Sequence, residues 1–306
     1  MTPEPPSSHH DELGYTQNFL HNPELVERIV RRAALKPGDT VLEVGPGKGI
    51  ITKKLADAVG PDGQVIAVEL DTRLADSLSI VLRPLTQVKI LSMDILHFDF
   101  SSLPPNYAVF SNIPFNITST LLETLLNPYD GPAQAHLILQ RDALIATNEQ
   151  GTPAETFKSM LIKPLYEIEL VVPFLKSDFI PQPSVATALF SFVWRSEPLI
   201  DPHYYEVWKD FLAAISKDRA GEGIWRRLFS SGQTFKLQGQ HGLVMGRGLK
   251  SQPAEAIIAA FELLATSAPA KLDTVEGAMA ALREEQARRE DINRAGGHRR
   301  HPRQNS

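Results

Sequence analysis

The chain has 306 residues, 42% of them hydrophobic and 22% charged, with a net charge of −5 and no cysteine. That length fits one large or two modest globular domains, and the missing thiols exclude disulfides, thiolate zinc sites and a cysteine nucleophile. Residues 1–195 hold 15 Lys+Arg against 22 Asp+Glu and residues 196–306 hold 16 against 14, so a polyanion is expected on a local patch and not through the field of the whole molecule.

The start, MTPEPPSSHHDELG, is acidic and Pro/Ser-rich and lacks the basic and apolar regions of a secretory signal. No apolar run approaches the roughly 20 residues of a membrane helix. A cytoplasmic protein without membrane contact is expected, with residues 1–12 as a disordered tail. From Asn22 to Ala34 the spacing of Leu25, Ile29 and Val30 predicts a helix, with Asn22 as cap and Pro23 at its first position. An alternation follows: strand Val41–Val44, helix Ile50–Val59, strand Val65–Leu70, helix Thr72–Leu82, strands Val88–Leu91 and Tyr107–Phe110, helix Ile117–Leu126, strand His136–Leu139. This predicts an α/β fold with a mostly parallel sheet covered on both faces. YEIELVVPFL and SVATALFSFVW have no helix between them and read as an antiparallel pair at one sheet edge. After Trp194 strand signals stop and residues 203–265 read as helical (EVWKDFLAAI, IWRRLF, AEAIIAAFELLA). From about residue 283 Arg alternates with Glu, which reads as a charged helix fraying into disorder toward an Arg-rich end.

The chemistry gathers where predicted strands end. VLEVGPGKG places Gly45, Gly47 and Gly49 between a strand and a helix, where backbone N–H groups can meet a ligand. Glu69 ends the next strand, and a carboxylate there can accept from ribose hydroxyls. Asp94 follows the third strand and suits the exocyclic amine of a cofactor adenine, with a helix or turn cap as the plainer alternative. SNIPFNIT follows the fourth strand. Asn112 offers an amide acceptor, Pro114 stiffens the loop and Phe115 offers a flat ring, a set that suits a planar base bearing an amine.

Six motifs in order carry a family resemblance: TQNFL (16–20), VLEVGPGKG (41–49), AVELD (67–71), MDIL (93–96), NIPF (112–115) and FIPQPSV (179–185). The chain resembles the rRNA adenine N6-methyltransferases over about residues 14–265. The resemblance implies a class I S-adenosylmethionine-dependent methyltransferase: Rossmann-like, with a mostly parallel seven-stranded sheet and a small C-terminal helical domain. It implies a catalytic domain over 13–195, a helical RNA-binding domain over 196–266 and a charged, largely disordered tail over 267–306. By position, Asn18, Leu20, Gly45, Gly47, Glu69, Asp94 and Asn112 are the expected cofactor contacts. Asn112, Phe115 and Phe179 are the expected catalytic set, with Phe179 as a second ring enclosing the flipped base. No metal is expected, and a monomer is.

The GKG of the glycine loop, WRRLFSSGQ and the Gly/Arg/His-rich end resemble the erythromycin-resistance (Erm) branch, which methylates one adenine of 23S rRNA and blocks macrolide, lincosamide and streptogramin B binding. Two alternatives stay open: the small-subunit (16S) rRNA adenine dimethyltransferase, and a non-catalytic RNA-binding factor on the same fold. The acidic total departs from the basic character of Erm proteins. Candidates for RNA grip are Arg28, Arg31, Arg32, Lys48, Lys53, Lys54, Arg226 and Arg227, with Arg294, Arg299, Arg300 and Arg303 in the tail.

Overall fold

The computed structural model describes residues 18–147 and 153–297. The expected disordered start, 1–12, lies outside them, as do Arg299, Arg300, Arg303 and the side chain of Arg294. The chain divides into two compact units, Met1–Ile145 with Ile162–Pro198, and Ala146–Leu161 with Leu199–Ser306.

The first unit opens with β1 (Phe19–Leu20) and α1 (Pro23–Arg32). Asn22 caps α1 as its sequence predicts, its side-chain oxygen accepting from the N–H groups of Glu24 (2.9 Å) and Leu25 (3.2 Å). Leu25, Val26, Ile29 and Val30 form its buried stripe. The alternating elements follow: β2 (Thr40–Val44), α2 (Ile50–Val59), β3 (Gln64–Glu69), α3 (Thr72–Val81), β4 (Val88–Ser92), β5 (Ala108–Asn112), α4 (Thr118–Leu125) and β6 (Gln134–Gln140). A two-stranded ribbon, β7 (Ile145–Thr147) with β8 (Pro153–Glu155), and α5 (Phe157–Ile162) interrupt the series before β9 (Tyr166–Pro173), β10 (Phe179–Ile180) and β11 (Thr187–Trp194).

One sheet has seven strands in the order β4-β3-β2-β5-β6-β11-β9. Its first five are parallel, and β11 runs antiparallel to both β6 and β9. That is the expected sheet with its antiparallel edge pair. Four of the five residues of β2 and five of the six of β3 are buried, as parallel strands covered on both faces require. The strand order runs outward in opposite directions from β2 and β5, so their carboxyl ends flank a crevice, the place where open α/β sheets take ligands.

In the second unit, α6 (Tyr205–Ser216), α7 (Gly223–Leu228), α8 (Ser231–His241) and α9 (Ala254–Ser267) precede α10 (Ala278–Gly297). Tyr205, Trp208, Phe211 and Phe261 are fully buried rings of this unit, with Trp208 edge-on to Phe261 at 5.2 Å between centroids. The expected, largely disordered tail over 267–306 is corrected for residues 269–297; residues 298–306 lie outside the described ones. Residues 269–275 form a 3-10 helix, and α10 follows. The reason is a cap the periodicity hides: the Asp210 carboxylate accepts from Gly277 (3.0 Å) and Met279 (2.8 Å) N–H groups, Leu272 and Val275 are buried, and Lys217 pairs with Glu285. Among the described residues no helix is long and apolar enough to cross a membrane.

Candidate active site at the sheet's carboxyl edge

Four adjacent strands end in the predicted residues. Asp94 follows β4, Glu69 closes β3, Gly45 follows β2 and Asn112 closes β5. At about 4.8 Å per strand spacing the row spans roughly 14 Å, the length of an extended nucleoside carrying an amino-acid arm.

The glycine loop turns through left-handed backbone at Gly45 (φ 64°) and Gly47 (φ 55°). Side chains are excluded at Gly47 for a second reason: a Cβ there would lie 2.3 Å from the Phe19 ring. The same ring lies under Lys48, whose Nζ is 5.9 Å from its centroid. Glu69 is buried and fastens this loop, one carboxylate oxygen accepting from Gly47 N–H (3.1 Å) and the other from Asp71 N–H (3.0 Å). Each oxygen keeps a second acceptor site.

Across the crevice, Ser111 donates its hydroxyl to the Val44 carbonyl (2.5 Å), which locks β5 to β2 just before the loop. Asn112 Nδ2 donates to the Asn18 carbonyl (2.7 Å), and Asn18 Nδ2 donates to the Pro181 carbonyl (2.8 Å). A carbonyl accepts only, so the Asn112 amide must turn its nitrogen to Asn18, leaving Oδ1 as its uncommitted acceptor. The Ile113 N–H is spent on Ile138 (3.2 Å), and among the described residues none donates to the Ile113 carbonyl. A cavity of about 20 Å³ collects Asn18, Phe19, Gly45, Asn112, Ile113, Pro114 and Phe115. Phe115 is half-buried on its wall.

Other expected residues stand apart from this cavity. Phe179 is corrected: its ring is 1% exposed, edge-to-face with Phe174 in the core cluster, because β10 pairs with β1 and turns it inward. Leu20, its partner in that pairing, has its side chain buried in the same cluster. Asp94 serves as a cap, accepting from Leu96 N–H (2.9 Å), with its other oxygen 3.8 Å from His97 Nδ1. Two of the expected RNA-gripping cations are engaged elsewhere: Glu27 holds both Arg31 and Lys54, the latter at 3.0 Å.

Three residues at this edge escaped the sequence. Phe19 sits in a quoted motif but its packing on Gly47 leaves no sequence signal. Leu70 falls in the predicted strand yet is 54% exposed beside Glu69; an apolar residue directly after a strand-end acid was the available cue. Glu43 lies beneath the loop, 1% exposed, with Oε2 unpartnered, as is Thr52 Oγ1. Burial pushes its carboxyl up to about 8; the nearby Thr52 hydroxyl pulls the other way without meeting hydrogen-bond geometry, and the Glu69 charge adds to the rise. Near neutral pH Glu43 is chiefly an uncharged acid.

A seven-stranded, mostly parallel sheet carrying a glycine loop, a strand-end acid and an Asn-Ile-Pro-Phe loop on one edge defines a Rossmann-like α/β methyltransferase fold with a helical C-terminal region. More narrowly, the chain belongs to the ribosomal RNA adenine dimethylase family, whose model matches residues 9–266. It is 32% identical over 198 residues to the rRNA adenine N-6-methyltransferase of Bacillus licheniformis, covering 61% of this chain and 64% of that protein's length. To the ribosomal RNA small subunit methyltransferase A of Latilactobacillus sakei it is 28% identical over 222 residues, 69% of this chain and 73% of that one. The crystal structure of the 23S rRNA methyltransferase ErmE matches with a TM-score of 0.66 at 25% identity, over 81% of this chain and 100% of that chain. A dimethyladenosine transferase from Plasmodium falciparum shares the fold, with a TM-score of 0.58 at 16% identity over 80% of this chain and 97% of that chain.

Proposed function

We propose that the chain transfers a methyl group from S-adenosyl-L-methionine to the N6 amine of an adenine in rRNA. The observation that carries this reading is the Asn112 amide, oriented by Asn18 so that Oδ1 is an acceptor on the wall it shares with Phe115 and Gly45. The donor set fits the cofactor: Glu69 for the ribose hydroxyls, Asp94 for the adenine amine, exposed Leu70 against the base, and the Gly45–Gly47 backbone with Asn18 for the amino-acid arm. Bound there, the cofactor supplies an electrophilic methyl.

The remaining difficulty belongs to the target. The lone pair of the adenine amine is delocalised into its ring. Asn112 Oδ1 and the Ile113 carbonyl accept the two amine protons, which draws the nitrogen toward a tetrahedral shape and frees the lone pair. Positive charge then grows on nitrogen in front of two fixed oxygen dipoles. A base inside a stack cannot reach them and must be extruded. Phe115 replaces the lost stacking, a contact worth roughly 1–3 kcal/mol.

Within the family we favour an adenine of 23S rRNA, with macrolide, lincosamide and streptogramin B resistance as the outcome. The match to ErmE over the whole of that chain and the WRRLFSSGQ segment support this branch. The likeness to small-subunit methyltransferases supports a 16S adenine as the second reading. Incubating the protein with radiolabelled S-adenosylmethionine and deproteinised total rRNA, followed by nucleoside digestion, tests the reaction; N6-methyladenosine is expected. Binding of cofactor and RNA without turnover would instead identify a non-catalytic factor. Primer extension on 23S and 16S rRNA from expressing cells separates the two branches.

A further inference from the structure

The helical unit carries a charge pattern that the net total hides. From Gly223 to Ala254 there are five cations, Arg226, Arg227, Lys236, Arg247 and Lys250, and no Asp or Glu. This stretch contains α7, α8 and the connection to α9. Arg227, Lys236 and Lys250 are exposed, and among the described residues none of the three has an ion-pair partner. Arg226 commits Nε to the Gly221 carbonyl at 2.6 Å, one of its five donors.

In the middle of that stretch Phe235 is 76% exposed. On a helix its surface neighbours lie three and four residues away. Gly232 and Gly239 are two of them, and a Cβ at either would meet nothing within 4 Å. The other two, Ser231 and Gln238, are exposed polar residues. Glycine is the poorest helix former after proline, yet α8 is held by a capping box, Ser230 with Gln233, and by buried Thr234 and Leu237. The helix therefore presents an aromatic ring with little cover, set beside Lys236 and after the two arginines of α7.

We propose that this face of α8 docks a single-stranded segment of the RNA substrate, with Phe235 stacking on an unpaired base and Arg226, Arg227 and Lys236 meeting its phosphates. The inference rests on the rRNA methyltransferase reading of the chain. Charge selects the occupant: Arg227, Lys236 and Lys250 are exposed without an ion-pair partner among the described residues, in a stretch that holds no Asp or Glu, which complements a polyanion although Asp201 and Glu262 line a cavity with Lys236. A lone ring among Ser231, Gln238 and two glycines is a poor apolar seam for a second copy of the chain. Strand state follows from access. Paired RNA hides its base faces, whereas unpaired bases stack on aromatic side chains irrespective of sequence.

The test uses the full chain with Phe235→Ala and Phe235→Trp. With deproteinised 23S rRNA, Phe235→Ala is expected to raise the KM for RNA roughly five- to 150-fold, with kcat, cofactor KM and Tm unchanged. Phe235→Trp is expected to restore KM, and its added indole emission is expected to be quenched by a short oligoadenylate but not by an RNA duplex. A wild-type KM in Phe235→Ala, no quenching in Phe235→Trp, or equal quenching by duplex overturns the proposal. So does a drop in the association state of Phe235→Ala by sedimentation velocity, which would assign the face to a second copy. If the wild-type protein methylates no rRNA, the methyltransferase reading fails, while quenching by oligoadenylate still reports on this surface by itself.

Discussion

The sheet's carboxyl edge and the α7–α8 stretch treat charge in opposite ways. At the edge, Glu69 is buried with both oxygens on backbone N–H groups, and Glu43 is buried and largely uncharged. Along 223–254 the sequence holds no Asp or Glu, and Arg227, Lys236 and Lys250 stand exposed without an ion-pair partner among the described residues. The difference separates chemistry from grip. Dipoles fixed in a buried edge suit an uncharged nucleophile that gains positive charge as it reacts. An exposed cationic stretch suits a polyanion and is screened by salt. An acidic total of −5 therefore does not conflict with an RNA substrate, because it averages the two regions.

The most severe break is expected at the edge. Asn112→Ala removes the oriented acceptor, and kcat for methyl transfer to rRNA is expected to fall roughly 10²- to 10³-fold, the range for losing one fixed dipole at a developing charge. The lost bond to Asn18 is a single hydrogen bond, so unfolding free energy is expected to fall by only about 1 kcal/mol. Radiolabel incorporation and denaturant unfolding measure the two effects separately. Near-wild-type turnover in this variant would remove Asn112 from the chemistry.

The buried titratable groups of the first unit sharpen the same contrast through stability. Glu43 is raised from its ordinary 4.5 to about 8 by burial. Its contribution is full below pH 4.5 and is lost as pH rises toward 8, because the unfolded chain releases the proton first. Between pH 4.5 and 7 the loss is about 3 kcal/mol. His136, stacked on Phe110 at 6.0 Å, is lowered by burial from 6.5 to about 4. Its contribution is full above pH 6.5 and is lost as pH falls toward 4, again by about 3 kcal/mol. Glu43→Gln is expected to gain on wild type as pH rises from 5 to 8, and His136→Phe as pH falls from 6.5 to 4. Urea unfolding across this pH range reads both, and parallel wild-type and variant curves would show that neither group titrates as burial dictates.

The sheet edge was legible because its positions follow from alternation and strand ends: Gly45, Glu69, Asp94 and Asn112 sit where the pattern of strands and turns puts them. Phe179 was not, since a ring before a Pro-x-Pro turn reads alike whether it faces a cleft or the core; the pairing of β1 with β10 decides, and that pairing joins residues far apart in sequence. Glu27 shows the same limit. Its i,i+4 spacing to Arg31 on the predicted helix was readable, but nothing local says that the same carboxylate also takes up Lys54 from α2. The helix α8 lacks a strong apolar stripe and carries two glycines, so periodicity passes over it. Its capping box, Ser230 to Gln233, was the readable cue. The ordered start of α10 depends on Asp210, a cap lent by another helix.

The smallest expected effect compares cations by their partners. Arg227 has no ion-pair partner among the described residues, so Arg227→Gln is expected to lower the slope of log affinity against log salt by about 0.7, one phosphate contact on a single strand. Lys54 is held by Glu27, which also holds Arg31. Lys54→Gln is therefore expected to leave both the slope and the affinity at wild-type values. Filter binding of oligoadenylate over about 50 to 200 mM salt resolves a change of that size. Equal slope changes in the two variants would mean that phosphate draws Lys54 away from Glu27, and a cation's partner in the free protein would then no longer predict its share of the grip.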